Sequence, residues 1–239
     1  QGLKELRLRN WEPSPVPAAS VDAVVLTHAH LDHVGMLPRL VAQGFKGRIF
    51  CTPGTQDLCS LVLPDAGRLQ EEEAERANRG GYSKHKPARP LFTEDDAVKT
   101  LSRLQPVGYQ RPIPVAGGAL EVEFLPTGHL LGAAYVRMRR PGGESGTVLF
   151  GGDLGRYNRP ILQDPAAGSQ ADVLLVESTY GDREHLNGDE QERLAAIIND
   201  VTQKQGKLII PAFAIGRVEE VLYAIKKLED AGKIRQLPV

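Results

Sequence analysis

The densest chemistry in this chain is the run Thr27-His28-Ala29-His30-Leu31-Asp32-His33, where three of the six histidines and an aspartate fall within six residues. Imidazole and carboxylate are the ligands zinc takes where thiolates are absent. Just past a strand end, His28 and His30 can splay into one metal, while the adjacent Asp32 and His33 can reach a second. A polar loop that happens to be rich in histidine is the plainer alternative; the small neighbours and the strand-end position favour ligands. His129, in Pro126-Thr-Gly-His-Leu-Leu-Gly-Ala133, again follows a strand and lies between glycines, so it is read as another ligand. Asp153 stands in Phe150-Gly-Gly-Asp-Leu-Gly155. A carboxylate beside glycine is a frequent turn former, but its two oxygens also suit it to bridge two divalent ions, and that is the preferred role. His85 and His185 are read as ordinary polar residues.

These residues need strand ends to hold them, and the hydrophobic pattern supplies strands. The Val-rich run 22–27 predicts a buried strand, 34–41 a helix packed on it, and 48–52 a second strand. Thr52 followed by Pro53 predicts a capped helix through Leu63, and 64–79 continues with helical propensity and many acids. Thr93 with Asp96 matches a capping box at the start of another helix. Leu120, Val122 and Phe124 alternate with Glu121 and Glu123, which predicts a strand with one buried face. Strands are expected at 133–139, 147–150, 172–176 and 207–212, and helices at 188–202 and 216–228. Alternating strands and helices predict an α/β layer structure.

Composition narrows the class. With 239 residues, 41% hydrophobic and 25% charged, the chain matches a globular domain rather than a disordered or fibrous one. No apolar run reaches the length of a membrane-spanning helix, no secretory signal is visible, and no membrane partner is expected. Cys51 and Cys59 form no CxxC, which predicts a reducing, cytoplasmic setting. The net charge of −1 means that a nucleic-acid partner would have to meet a local basic patch. The segment 79–89 is such a patch, with Arg79, Lys84, Lys86 and Arg89 and no acid. The start at Gln1 without Met, and the end soon after a helix, predict a piece of a longer protein.

Together, HxHxDH at 28–33, Gly128-His129 and Gly152-Asp153 resemble the metallo-β-lactamase superfamily. Glu177-Ser-Thr-Tyr-Gly-Asp182 resembles the acidic motif that opens its β-CASP branch. Ile210-Pro-Ala-Phe-Ala-Ile-Gly-Arg217, followed by Glu219-Glu220-Val-Leu-Tyr223, resembles the strand and helix with which the β-CASP insertion begins. The stretches at 128–133 and 153–156 look closer to the polyadenylation-factor-like bacterial and archaeal members than to ribonuclease J. The resemblance implies a four-layer αββα sandwich, here incomplete, with metals at strand ends between the sheets. It implies a partial metallo-β-lactamase domain over 1–203 and a truncated β-CASP domain over 204–239. It also implies N-terminal strands ending in an acidic motif before Gln1 and two later histidine motifs, so that the second metal site is short of a ligand within this chain.

The activity implied is hydrolysis of RNA phosphodiesters by a zinc-bound hydroxide. His28, His30 and His129 would hold one zinc, Asp32 and His33 the other, and Asp153 would bridge them; Asp32 would also orient the nucleophile. Zinc is preferred over manganese or iron for so histidine-rich a set. By resemblance Glu177 would position one of the absent histidines; taken alone it is a strand-end charge. Arg79, Lys84, Lys86 and Arg89 would track single-stranded RNA, with a solvated loop equally favoured, and Arg217 at a helix start is a further phosphate candidate. The remainder of the same protein and a second copy of the chain are the other expected partners. Competing functions are a hydrolase of a small carbonyl substrate on the same fold, and an inactive scaffold subunit of an RNA-processing assembly. The intact metal residues argue against the scaffold.

Overall fold

The computed structural model describes residues 4–142, 146–168, 170–184 and 189–238, and in 4–7 the backbone alone. The chain divides into two compact units, Gln1–Glu177 and Ser178–Val239. Within the first unit, β1 (Ala23–Val25), β2 (Arg48–Cys51) and β3 (Leu104–Pro106) form a parallel sheet in that order. Their connections carry the short helices α1 (Leu31–Val34) and α2 (Leu37–Ala42), then α3 (Pro53–Gly80) and α4 (Glu94–Leu101). Parallel strands need such crossovers, and the helices they bring in cover one face of the sheet.

Alternation along the strands sorts the two faces. Val24, Ile49, Cys51 and Leu104 pack with Val34, Leu37, Cys59, Leu63, Phe92 and Ala97 of the helical layer. Ala23, Val25 and Phe50 face the other way, onto Val122, Phe124 and Val136 of a second sheet. That sheet runs β4 (Ile113–Val115), β5 (Leu120–Pro126), β6 (Ala134–Arg139), β7 (Val148–Phe150) and β8 (Val173–Leu175), antiparallel except for the parallel pair of β7 with β8. In the β5–β6 register Phe124 opposes Val136 on the inner face. On the outer face Glu121 pairs with Arg139 and Glu123 with Arg137. Helices, sheet and sheet are thus stacked with one apolar core in each gap, the mixed α/β arrangement expected of the sandwich.

Several expectations need correcting. The helix opened by Thr52 does not stop near Leu63 but continues to Gly80, with Pro64 inside it. The apolar stretch 34–41 is split into two short helices, α1 and α2, either side of Gly35 and Met36. The strands β3 and β4 were not foreseen, since three residues each are too short for a periodic signal. The segment 207–212 pairs with no described strand, so its run Leu208-Ile209-Ile210 is exposed apolar chain rather than part of a sheet. The capping box at Thr93 forms as expected, with the Thr93 side chain on the Asp96 amide and the Asp96 side chain on the Thr93 amide.

The second unit contains α5 (Glu190–Gln203) and α6 (Arg217–Asp230). They bury Ala195, Ile198, Ile225 and Leu228 against one another, with Ile234. The sequence-expected boundary at 203/204 lies inside this unit, at the end of α5. His185 lies outside the described residues.

Candidate metal centre

Three separate loops leave strand ends of the two sheets and meet at one point. The first follows β1: the Ala134 amide, at the start of β6, donates to the Thr27 carbonyl at 2.8 Å and ties the two sheets together there. His28 comes next, fully buried, and His30 precedes the turn of helix that carries Asp32 and His33. The second loop follows β5 and brings His129. It is fixed at Gly132, whose carbonyl accepts hydrogen bonds from the Thr52 and Thr55 hydroxyls at the start of α3, at 2.5 and 3.0 Å. Gly132 has φ of +78°, and a Cβ there would stand 2.2 Å from the Thr55 nitrogen, so no other residue fits. The third loop follows β7 and brings Asp153. The Gly155 amide donates to the Thr127 carbonyl at 2.9 Å and joins it to the His129 loop. Gly152, at φ +58°, lets it turn against Thr27, whose Cβ would be 2.8 Å from a side chain at that position.

The side chains converge. His30 Nδ1 lies 3.1 Å from His28 Nε2 and 3.2 Å from His129 Nε2. Asp153 Oδ2 lies 3.5 Å from His28 Nε2, 3.3 Å from His129 Nε2 and 4.0 Å from His30 Nδ1. Four ligand atoms, one from each of these residues, all lie within 4.8 Å of one another. Ligands at the zinc–nitrogen distance of ~2.0–2.1 Å in a tetrahedron stand about 3.4 Å apart, so the observed edges fit a metal of that size. Three ring nitrogens and a carboxylate oxygen aimed at one small volume would otherwise compete for too few protons.

Asp153 also faces a second direction. Its Oδ1 lies 3.5 Å from His33 Nε2, which in turn is 3.7 Å from Asp32 Oδ2. One oxygen of the carboxylate therefore addresses the three-histidine cluster and the other the Asp32–His33 pair. The Asp32 side chain is 81% exposed, so this second group opens to solvent, whereas in the first His28 is buried and His30, His129 and Asp153 are half-buried.

Burial, and then the neighbouring His33, His129 and His30, push the His28 pKa down to about 2. Burial also lowers that of His129, against the opposing pull of Asp153. Both rings are therefore neutral at ordinary pH, the form that ligates metal.

Two residues that sequence reasoning missed or left undecided hold this arrangement. Thr27 Oγ1 lies 3.1 Å from His28 Nδ1. A donation from Nδ1 to that hydroxyl leaves Nε2 with its lone pair toward the cluster, the usual way an outer partner fixes a ligand's tautomer. The only sequence signal was adjacency to the first histidine. Glu177 accepts from the Leu154 amide at 2.8 Å, so its carboxylate fastens the turn that presents Asp153. The other expected site residues are dispersed. Arg79, in the last turn of α3, is 3.8 Å from Glu75. Lys84, Lys86 and Arg89 are exposed. Arg217 begins α6 in the second unit and donates to Glu220 at 3.0 Å.

A beta-lactamase superfamily domain model matches residues 2–209. The chain belongs to the metallo-β-lactamase superfamily. It is similar to ribonuclease TTHA0252 of Thermus thermophilus, at 37% identity over 94% of this chain and 47% of that protein. Transcription termination factor FttA of Methanosarcina mazei is 29% identical over 96% of this chain and 34% of its own length. Endoribonuclease YSH1 of Gibberella zeae is 29% identical over 85% of this chain and 23% of its own. These relatives are β-CASP RNA-processing proteins, as the motifs at 177–182 and 210–223 lead one to expect. The chain spans half or less of the length of each of them.

Proposed function

We propose that the protein containing this chain is a metal-dependent ribonuclease that hydrolyses RNA phosphodiesters, with its metal centre in the first unit. The observation that carries the reading is the placement of Asp153, whose two carboxylate oxygens face two different histidine groups. The similarity to a relative named a ribonuclease supplies the substrate class. His28, His30, His129 and Asp153 Oδ2 would hold one zinc; Asp32, His33 and Asp153 Oδ1 would hold the other. Zinc bound there supplies Lewis acidity, which lowers the pKa of water from ~15.7 to about 7 and neutralises charge gathering on the phosphate.

The chain's own groups do the rest. Thr27 and the glycine turns keep the ligands preorganised, so no reorganisation accompanies the reaction. Glu177 holds the Asp153 turn, and the open Asp32–His33 side is where a scissile phosphate can enter and where Asp32 orients the attacking water. Arg79, Lys84, Lys86 and Arg89 would draw in the RNA backbone, and Arg217 is a further phosphate contact. Cys51 and Cys59 are buried free thiols, and burial pushes the pKa of both up to about 12, so neither offers a nucleophile at ordinary pH. Among the described residues no helix is long and apolar enough to cross a membrane.

The test is cleavage of end-labelled single-stranded RNA by the complete protein, wild type beside Asp153→Asn, with bound metal counted by elemental analysis. The expected result is processing by the wild type, and loss of both bridged metal and cleavage in the variant. Wild-type protein that holds two zinc ions and leaves RNA intact would refute the ribonuclease reading and turn attention to a small carbonyl substrate.

A further inference from the structure

Three distant parts of the sequence meet at Trp11. This is the sole tryptophan of the chain. It ends the N-terminal 3-10 turn, Lys4–Trp11, and remains 42% exposed. The Arg39 guanidinium, on α2, lies over the indole at 5.2 Å from the ring centroid, and donates to the Trp11 carbonyl at 3.2 Å. On another side the His85 imidazole stands 6.3 Å from the indole, inclined at 42°. His85 belongs to the basic stretch, flanked by the exposed Lys84 and Lys86. Among the described residues no carboxylate lies within ion-pair distance of Lys84, Lys86 or Arg89.

Many large apolar side chains are exposed here, and what sets this ring apart is its surroundings. An aromatic plane backed by a guanidinium and bordered by unpaired cations is the composition that grips single-stranded nucleic acid: a base stacks on the ring while the cations follow the phosphates. A duplex keeps its bases inside, so the platform selects unpaired nucleotides. Arg39 follows His33 by six residues, much of it helical, so their Cα atoms are at most ~20 Å apart. The ring therefore lies within a few tens of ångströms of the metal centre, a distance that a short single strand can span.

We propose that Trp11 is a base-stacking subsite for single-stranded RNA, with Arg39 as the residue that holds the indole in place, His85 beside the ring, and Lys84 and Lys86 as its cationic border. The proposal rests on the ribonuclease reading above and adds the place where the unpaired strand is held.

The emission of Trp11 is read as the difference between the wild type and Trp11→Phe, so that any tryptophan elsewhere in the complete protein cancels. The zinc-loaded protein is titrated with a short phosphorothioate-linked oligoadenylate, which resists hydrolysis, and with an abasic oligonucleotide of the same length. Oligoadenylate is expected to quench the emission saturably and the abasic strand to leave it unchanged. In a fluorescence-anisotropy assay Trp11→Leu should weaken binding roughly 5- to 150-fold. Trp11→Phe should retain most of the affinity, and Arg39→Met should weaken binding severalfold at unchanged zinc content. Binding of oligoadenylate without quenching, equal quenching by the abasic strand, or full affinity in a folded Trp11→Leu protein would each overturn the stacking subsite and leave the ribonuclease reading standing. Failure of the wild type to bind oligoadenylate at all, together with absent RNA cleavage, would overturn both.

Discussion

The metal centre and the basic stretch are both built from charged and titratable side chains, yet they are made in opposite ways. At the centre, four residues from three loops point inward; hydrogen bonds accepted by Thr27 and Gly132 and donated by Gly155 and Leu154 hold the loops that carry them. In the stretch 79–89 the cations point outward into water and touch little. Enclosure fixes geometry and raises the cost of error, since an imidazole turned by a few tens of degrees inside the cluster loses its ligand role. Exposure fixes only a field, in which each charge contributes a small and replaceable share. Mutations should therefore act through geometry in one region and through charge count in the other.

The strongest test of this contrast leaves every ligand in place. Thr27→Val keeps the shape of the residue and removes the hydroxyl that faces His28 Nδ1. Loss of such an outer partner commonly costs ~10–100-fold in metal affinity, and that loss is the expected outcome here, with little change in thermal stability. A competition titration against a zinc chelator measures it. An affinity within twofold of wild type would mean that the ring is oriented by packing alone.

A second test uses pH on the metal-free protein. In the folded chain His28 stays neutral down to about 2, chiefly because it is buried, whereas the unfolded chain takes up a proton there below about 6.5. The unfolded state thus binds more protons throughout that window, and stability falls as pH drops below 6.5. Between pH 7.5 and 5 this site alone should cost ~2 kcal/mol. Urea midpoints in excess chelator at the two pH values give the slope, and His28→Gln should flatten it. A slope that is the same in that variant would assign the acid sensitivity to other groups.

How much of this was legible beforehand follows the same division. The ligands could be read because sequence-local spacing at 28–33 and glycine-flanked strand ends at 129 and 153 carry the signal in a few residues. The strand 120–124 and its buried face were legible through alternation of Val122 and Phe124 with Glu121 and Glu123, although its partner strands were not. What escaped depends on contacts between distant residues. Nothing near Thr27 announces that Gly152 must be small to pass it, nor does anything near Trp11 indicate that Arg39 and His85 will arrive beside it. The segment 207–212 was misread because β-propensity describes fit to a pleated surface, and no partner strand is present among the described residues. Pro64 failed to end its helix because α3 packs against α1 and α4 along its length, and burial of Cys59, Leu63 and Ala66 outweighs one missing hydrogen bond.

The gentlest test concerns the outward-facing charges. If Lys84, Lys86 and Arg89 act on RNA only through the field they create, each neutralisation should remove one released counterion and no specific contact. For a single strand that lowers the slope of log affinity against log salt by ~0.7 per charge. Lys84→Gln and Lys86→Gln should each give this change, the double variant about twice as much, and all of them should leave zinc content as it is. Arg79 is the internal control: it already faces Glu75 at 3.8 Å, so part of its field is cancelled and its neutralisation should shift the slope less. Equal slopes in all the variants would remove the basic stretch from the RNA path. A single variant that abolished binding would instead mark a geometric contact, and the distinction drawn between the two regions would then have to move to that residue.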